Sequence, residues 1–363
     1  MKICTIIGAR PQFIKAAVVS RVILEAGNIS EILIHTGQHF DANMSDVFFD
    51  ELDIRRPDFH LKIGGGSHGQ NTGRMVEAIE TILMAEKPDW VLVYGDTDST
   101  LAGALAAAKI HIPIAHVEAG LRSFNRRMPE EINRVLTDHV ASLLFAPTDT
   151  AVQNLHYEGI NPGKIHQVGD VMYDATLFYQ KRAKRPQSLG ETKDGFLICT
   201  IHRAENTNDL SRLNKIIDAL NKIAEQHTII LPLHPRTAGV IAKMPYVKLH
   251  TNIEIIEPVG FLEMHWLLQH CSLVMTDSGG VQKEAFFHRK PCVTLRDETE
   301  WVELIESGVN KLAAPETADI AAIVMSMIGM EIDESIKLYG DGETGKRLVK
   351  IIANGGGGNK LKK

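Results

Sequence analysis

The sequence predicts an α/β protein of two Rossmann-like, doubly wound domains facing each other across a cleft. Three observations lead there. The chain has 363 residues, more than one hydrophobic core ordinarily organises. Short apolar, β-branched runs alternate with longer segments of helical spacing, the signature of a parallel sheet covered on both faces. The alternation pauses at a polar stretch containing Lys and Pro, Gln180 to Asp194, which reads as a linker, and restarts at Phe196.

The elements follow in order. Strands are expected at Ile3 to Ile7, Glu31 to His35, Trp90 to Tyr94, Ile112 to Val117 and Leu143 to Ala146, with helices such as Pro11 to Glu25 and Gly73 to Ala85 between them. In the second half the strand runs are Phe196 to Ile201, Ile229 to Leu233, Ile253 to Ile256, Leu273 to Thr276 and Cys292 to Leu295. This assigns residues 1–175 to an N-terminal domain and 195–340 to a C-terminal one. Ligands of such sheets sit beyond the carboxyl ends of the strands, so function should lie where these runs end.

Composition narrows the function. A hydrophobic fraction of 44% and a charged fraction of 23% are those of a soluble globular protein. The net charge of −6 argues against a general nucleic-acid binder, and the basic end Lys360-Leu361-Lys362-Lys363 reads as a solvated tail. No apolar run reaches the ~20 residues that span a bilayer, and no cleavable signal precedes the first strand. Cys4, Cys199, Cys271 and Cys292 lie in or beside apolar runs without metal-ligand spacing, as buried thiols do in a reducing compartment. A cytoplasmic location is expected.

Polar residues gather at the strand ends. Asp277-Ser278-Gly279-Gly280 follows an apolar run and opens an amphipathic segment that contains Glu284. Unpaired amides at a helix start, a hydroxyl and paired glycines suit a phosphate, and Glu284 suits a ribose; the alternative is an ordinary turn capped by Asp277 or Ser278. Gly8-Ala9-Arg10-Pro11 places Arg10 at a helix N-terminus, where a cation opposes the helix dipole unless an anion is near, with Lys15 about one turn on. Asp96 follows Tyr94, where it is either a functional carboxylate or an N-cap. Glu118 follows a buried run, where an unpaired charge is expensive. Glu130 and Glu131 open another helix, with dipole compensation as their plain role. In the second half, His202 and Arg203 end one strand and suit phosphate and proton transfer near neutral pH. His234 repeats the theme after the next. The charged segment Arg296 to Glu303 reads as a salt-bridged surface helix.

The order and spacing of Gly8-Ala9-Arg10-Pro11 with Lys15, Gly95-Asp96-Thr97, His116 to Arg122, Pro129-Glu130-Glu131 with Asn133-Arg134, His202-Arg203 with Glu205-Asn206, Asp277 to Gly280 and Tyr339 to Gly342 resemble the non-hydrolysing UDP-N-acetylglucosamine 2-epimerase family. The match runs from Lys2 to about Ile352. The resemblance implies the B-type glycosyltransferase architecture, a last helix (residues 344–353) that rejoins the N-terminal domain ahead of a tail (354–363), and a homodimer. It implies inversion of C2 of a UDP-2-acetamido sugar, of the UDP-N-acetylglucosamine to UDP-N-acetylmannosamine type, by elimination of UDP across C1 and C2 to a 2-acetamidoglucal and re-addition, with no nicotinamide cofactor or metal. Asp96, Glu118 and Glu130 are then the acid–base candidates, with their individual steps unassigned, and His202 assists at the phosphates. Arg10, Lys15, Ser278, Gly279 and Gly280 hold the diphosphate and Glu284 the ribose, with Arg122, Arg127, Arg203 and His234 as further substrate-binding candidates.

Two departures bear on the substrate. Ser123-Phe124-Asn125-Arg126-Arg127-Met128 stands where members acting on UDP-N-acetylglucosamine often have a Gly-Asp-Leu-Tyr-Ser-Pro-like stretch, and Trp301-Val302 replaces an Arg-Pro. Both resemble the branch acting on UDP-2,3-diacetamido-2,3-dideoxyglucuronate, an O-antigen precursor. A guanidinium of Arg126 or Arg127 would suit a C6 carboxylate, unless both sit on the surface or balance Glu130 and Glu131. Gln38 and His39 match a second, regulatory substrate site, but Asp41 and His68-Gly69 do not. A glycosyltransferase, a hydrolysing epimerase and a noncatalytic UDP-sugar binder are the rival readings.

Overall fold

A computed structural model describes residues 1–38, 52, 54–192, 194–244 and 248–355. The chain forms two compact units, Met1–Ala175 together with the segment from Tyr339 onward, and Thr176–Leu338.

The first unit holds β1 (Lys2–Ile7), β2 (Ser30–His35), β3 (Phe59–His60), β4 (Trp90–Tyr94), β5 (Ile114–Val117), β6 (Leu143–Ala146) and β7 (Ile165–Gln167). They make a seven-stranded sheet in the order β3-β2-β1-β4-β5-β6-β7, and every pairing is parallel. All five residues of β4 are buried, so this strand is covered on both faces, as its unbroken apolar run requires. The second unit holds β8 (Leu197–Thr200), β9 (Ile229–Pro232), β10 (Ile253–Ile256), β11 (Leu273–Thr276), β12 (Cys292–Thr294) and β13 (Asn310–Leu312). This parallel sheet runs β10-β9-β8-β11-β12-β13. Alternation along the first strand run builds two cores. Leu197, Cys199 and Ile201 pack with Leu213, Ile216 and Ile217 of the helix Leu210–Ala224 on one face, while Phe196 and Ile198 pack with Leu267, Leu268 and Ala285 on the other.

Each sheet therefore reverses its direction of growth once, between β1 and β4 and between β8 and β11. A doubly wound sheet opens its ligand crevice at such a switch point, beyond the carboxyl ends of the two strands. Gly8 and Gly95 follow those ends in the first unit, and Ile201-His202 and Asp277 follow them in the second.

Three parts of the molecule differ from the sequence expectation. The short strands β3, β7 and β13, two or three residues each, have no apolar run long enough to announce them. The expected linker, Gln180 to Asp194, is packed onto the second unit where it is described. Lys184 donates its amide to the Leu262 carbonyl, the Gly190 amide meets Glu254, and Leu189 is buried. The division between units lies after Ala175, within the helix Val171–Tyr179 and ahead of that stretch. The last helix, Thr344–Gly355, packs on the helix Arg10–Ala26, with Gly345 against Val18 and Val22. Its Asn354 and Gly355 were expected in the tail, whose remaining residues, 356–363, lie outside the described ones. Among the described residues no helix is long and apolar enough to cross a membrane.

Candidate functional site

The turn after β1 is built by a side chain that the sequence reading passed over. Gln12 is buried, and its Oε1 accepts from the Gly8 and Ala9 amides at 2.8 and 3.0 Å. Its Nε2 donates to the Tyr94 carbonyl at 2.8 Å, which ties the ends of β1 and β4 together at the switch point. Arg10 is the first residue of the following helix, whose N-cap is Ala9, with no side-chain cap. Gln12 sat in plain view inside the Gly8 to Lys15 motif; its amide, able to accept and donate at once, was the available signal.

Lys15 forms a short ion pair with Glu118, and both side chains are at least nine-tenths buried. Glu118 adopts φ +72°, a left-handed conformation that costs a non-glycine residue roughly 1–2 kcal/mol. Such strain persists only where the surroundings enforce it, and it gathers at functional sites. Here the Glu118 and Ala119 amides both donate to the Phe145 carbonyl at 3.1 Å, holding the turn.

Asp96 is partly exposed and bonds Arg134 at 2.6 Å. It is not an N-cap: Thr97 caps the helix Asp98–Lys109 by accepting from the Thr100 amide. Arg134 also meets Glu131 at 2.8 Å, and Glu131 in turn accepts from the Ser123 and Phe124 amides. Burial pushes the Glu131 carboxyl up, but the Ser123 amide, Arg134 and the Phe124 amide together hold it below the usual carboxylate range. Glu131 is thus a latch for the 123–128 loop rather than a dipole compensator. Glu130, beside it, is exposed and makes no ion pair among the described residues.

Arg122 was expected at the substrate. The structure gives it another occupation: its side chain is buried, bidentate to Glu158 at 2.7 Å on both arms, and 2.8 Å from Asp138. A guanidinium so committed positions the turn and has no free face for a sugar. Arg126 and Arg127 are exposed, and neither pairs with Glu130 or Glu131. Of the two alternatives, the pairing with those carboxylates fails, while a plain surface position agrees with their exposure.

In the second unit Asp277 organises the edge. It is fully buried, and its carboxylate accepts from the His202 amide at 3.1 Å, the Arg203 amide at 3.0 Å and Asn206 at 3.1 Å. The half-exposed His202 ring meets it with Nδ1 at 3.0 Å. Burial pushes the Asp277 carboxyl up, but His202, the Arg203 amide and Asn206 hold it below its ordinary range. The capping role expected of Asp277 is thus replaced by a bridge across the β8–β11 switch point. Ser278 occupies the N-cap position of the helix Gly279–Phe287, yet its hydroxyl makes no capping bond. Gly279 lies close under the Glu300 carboxylate, and a Cβ there would meet its Oε1. Glu284 is buried farther along the helix. Arg203 precedes the short helix Ala204–Thr207, and His234 is exposed at the end of the run that contains β9. The segment Arg296 to Glu303 is not a surface helix. Arg296 is buried against Glu300 at 3.0 Å, and Trp301 stacks under Lys283 Nζ at 3.9 Å. Of the regulatory residues considered, Gln38 accepts from Ser99 and His68 pairs with Asp98. His39 and Asp41 lie outside the described residues.

Comparison with known proteins decides the family. The family model described as UDP-N-acetylglucosamine 2-epimerase matches residues 22–353. The chain belongs to that family. It is 56% identical to the UDP-2,3-diacetamido-2,3-dideoxy-D-glucuronate 2-epimerase of Pseudomonas aeruginosa, over 97% of this chain and 99% of that protein. The crystal structure of the Methanocaldococcus jannaschii UDP-GlcNAc 2-epimerase with UDP-GlcNAc and UDP superposes with TM-score 0.87 at 44% identity, covering 98% of this chain and all of that one. A glycosyltransferase from Streptomyces nogalater, at TM-score 0.54 and 13% identity, shares the fold alone. The two-domain α/β expectation holds, and this member of the family is a nucleotide-sugar 2-epimerase.

Proposed function

We propose that this epimerase inverts C2 of UDP-2,3-diacetamido-2,3-dideoxyglucuronate, by elimination and re-addition of UDP. The observation that carries the choice of sugar is the 56% identity, across nearly the full length of both chains, to the Pseudomonas enzyme of that name. The unpaired, exposed Arg126 and Arg127 support it, since a uronate carries a carboxylate at C6 and N-acetylglucosamine does not.

The C2 hydrogen is not acidic enough for direct removal at neutral pH. A carboxylate base takes that proton as the C1–O bond breaks; the C2–H electron pair becomes the C1=C2 bond, and the C1–O pair leaves with UDP. UDP then adds back to C1 while an acid delivers a proton to the opposite face of C2. Asp96, Glu118 and Glu130 are the acid–base groups. Lys15 pairs with Glu118 in its buried seat, and Arg134 meets Asp96. The edge built on Asp277 holds UDP: the first amides of the helix Gly279–Phe287 and the Ser278 hydroxyl face the diphosphate, Arg10 adds charge, and Glu284 takes the ribose. His202, oriented by Asp277, assists the leaving phosphate. A homodimer and a cytoplasmic location complete the reading, the former open to sedimentation equilibrium.

The test is kcat/KM for the uronate and for UDP-N-acetylglucosamine, in the wild-type protein and in Arg126→Ala and Arg127→Ala. The uronate should win in the wild type, and losing the responsible arginine should cut the preference roughly 10-fold or more, as loss of a charge-assisted hydrogen bond does. Equal or better turnover of the neutral sugar by the wild type would overturn the substrate assignment.

A further inference from the structure

His116 was read from the sequence as part of a strand and of the His116 to Arg122 motif, with no role of its own. It is fully buried on β5, two residues before Glu118. Its Nε2 lies 2.8 Å from the Gly95 carbonyl oxygen and its Nδ1 lies 2.7 Å from Asp138 Oδ1. A carbonyl and a carboxylate can only accept, so both ring nitrogens carry hydrogen and the ring is an imidazolium. The other Asp138 oxygen takes the Gly120 amide at 3.1 Å and Arg122 at 2.8 Å, and Arg122 goes on to Glu158. Two cations and two anions alternate along this chain, so a buried charge is nowhere left uncompensated.

What the network holds matters more than what it contains. Gly95 immediately precedes Asp96, and Gly120 lies two residues after Glu118. Gly95 itself has φ +62° and Gly120 φ +82°, and the non-glycine Glu118 lies between their two turns at φ +72°. The Gly95 amide bonds back to the Val117 carbonyl at 3.0 Å. We infer that His116, charged and anchored on Asp138, is a positioning residue for epimerisation: it locks the turns that carry Asp96 and Glu118 without touching the substrate. Arg122 and Glu158 extend the same lock outward. This rests on the epimerase reading, in which those two carboxylates move protons.

The experiment uses the full chain and the substrate that the wild type turns over, with solvent-deuterium incorporation at C2 as the rate. In His116→Gln a single amide nitrogen replaces two opposed donors, so one turn is released. The expected result is a kcat lowered roughly 10- to 100-fold, the scale that ångström misplacement of reacting groups produces. UDP affinity by calorimetry should stay within about threefold of wild type on this account, because neither Arg10 nor Ser278 to Gly280, the groups proposed for the diphosphate, belongs to the network that the substitution breaks. The shape of the pH profile should also persist, because the acid–base groups themselves are retained. If the glutamine variant does not fold, Arg122→Lys keeps the charge but loses the fork on Glu158, and its kcat should fall with UDP affinity unchanged.

Unchanged kcat in the folded variants overturns the inference. So does an equal loss of UDP affinity, which marks a general structural role, and so does loss of one limb of the pH profile, which makes His116 itself an acid or base. Failure of the wild type to incorporate deuterium would instead overturn the epimerase reading on which the inference stands.

Discussion

At the scale of single residues, the first unit spends buried charge to fix one carboxylate. Lys15 and Glu118 are both nearly inaccessible to water, so removing one partner strands the other. Lys15→Met should cost about 3–5 kcal/mol of stability in urea unfolding, the range seen when a buried pair is broken. Glu118→Gln keeps the shape and removes one of the proposed acid–base groups, and C2 exchange should fall by roughly 100- to 10,000-fold. An exchange rate within threefold of wild type would remove Glu118 from the chemistry. Some of these residues were legible in the sequence because each ends an apolar run, where a charge stands out. Arg122 was misread for the complementary reason. Its partner Glu158 lies 36 residues away, and nothing local distinguishes a guanidinium that meets a buried carboxylate from one that meets a sugar.

At the scale of elements, the helix Gly279–Phe287 begins just after β11, and the Glu300 carboxylate fills the space beside its first residue. Gly279→Ala drives its Cβ into Glu300, which Arg296 holds from the other side. Either the Glu300 carboxylate gives up its pairing with Arg296 or the helix start moves, and UDP affinity should fall about 10-fold or more, a loss of one good electrostatic contact. Titration calorimetry with UDP checks this, and unchanged affinity would mean that the helix start does not bind phosphate. Strands were the most legible elements. The central β1, β4, β8 and β11 are buried along nearly their whole length, so their residues are mostly apolar. The short β3, β7 and β13 escaped notice because two or three residues at the margins of a sheet need no such run. The network from His116 through Asp138 to Arg122 was equally silent, since it joins elements that only the fold brings together.

At the scale of the molecule, acid should unfold the protein through buried histidines before its carboxylates titrate. His265 and His288 lie 2.7 Å apart in the second unit, and burial, with each ring's charged neighbour, lowers them from 6.5 to about 3 and about 4. The unfolded chain takes up these protons near 6.5, while the folded chain refuses them until about 4 or below. The unfolded state therefore binds more protons in that window, and stability falls as pH drops through it. Each histidine contributes up to about 1.4 kcal/mol per pH unit. His265→Phe should flatten the decline in Tm between pH 6.5 and 4, and an unaltered slope would exclude the pair as its source. The doubly wound order of both sheets was legible only as a class. The hydrophobic pattern announces a parallel sheet, but the position of each switch point depends on pairings that no run of residues encodes.

The central claim is that this chain moves a proton at C2 while UDP departs and returns. Proton NMR of the purified protein in deuterated water, with UDP-2,3-diacetamido-2,3-dideoxyglucuronate and UDP-N-acetylglucosamine in separate samples, tests it most directly. The account predicts deuterium at C2 and a manno-configured UDP-sugar, faster with the uronate and without accumulation of free sugar. Release of free sugar, or retention of the C2 proton in both samples, would contradict it.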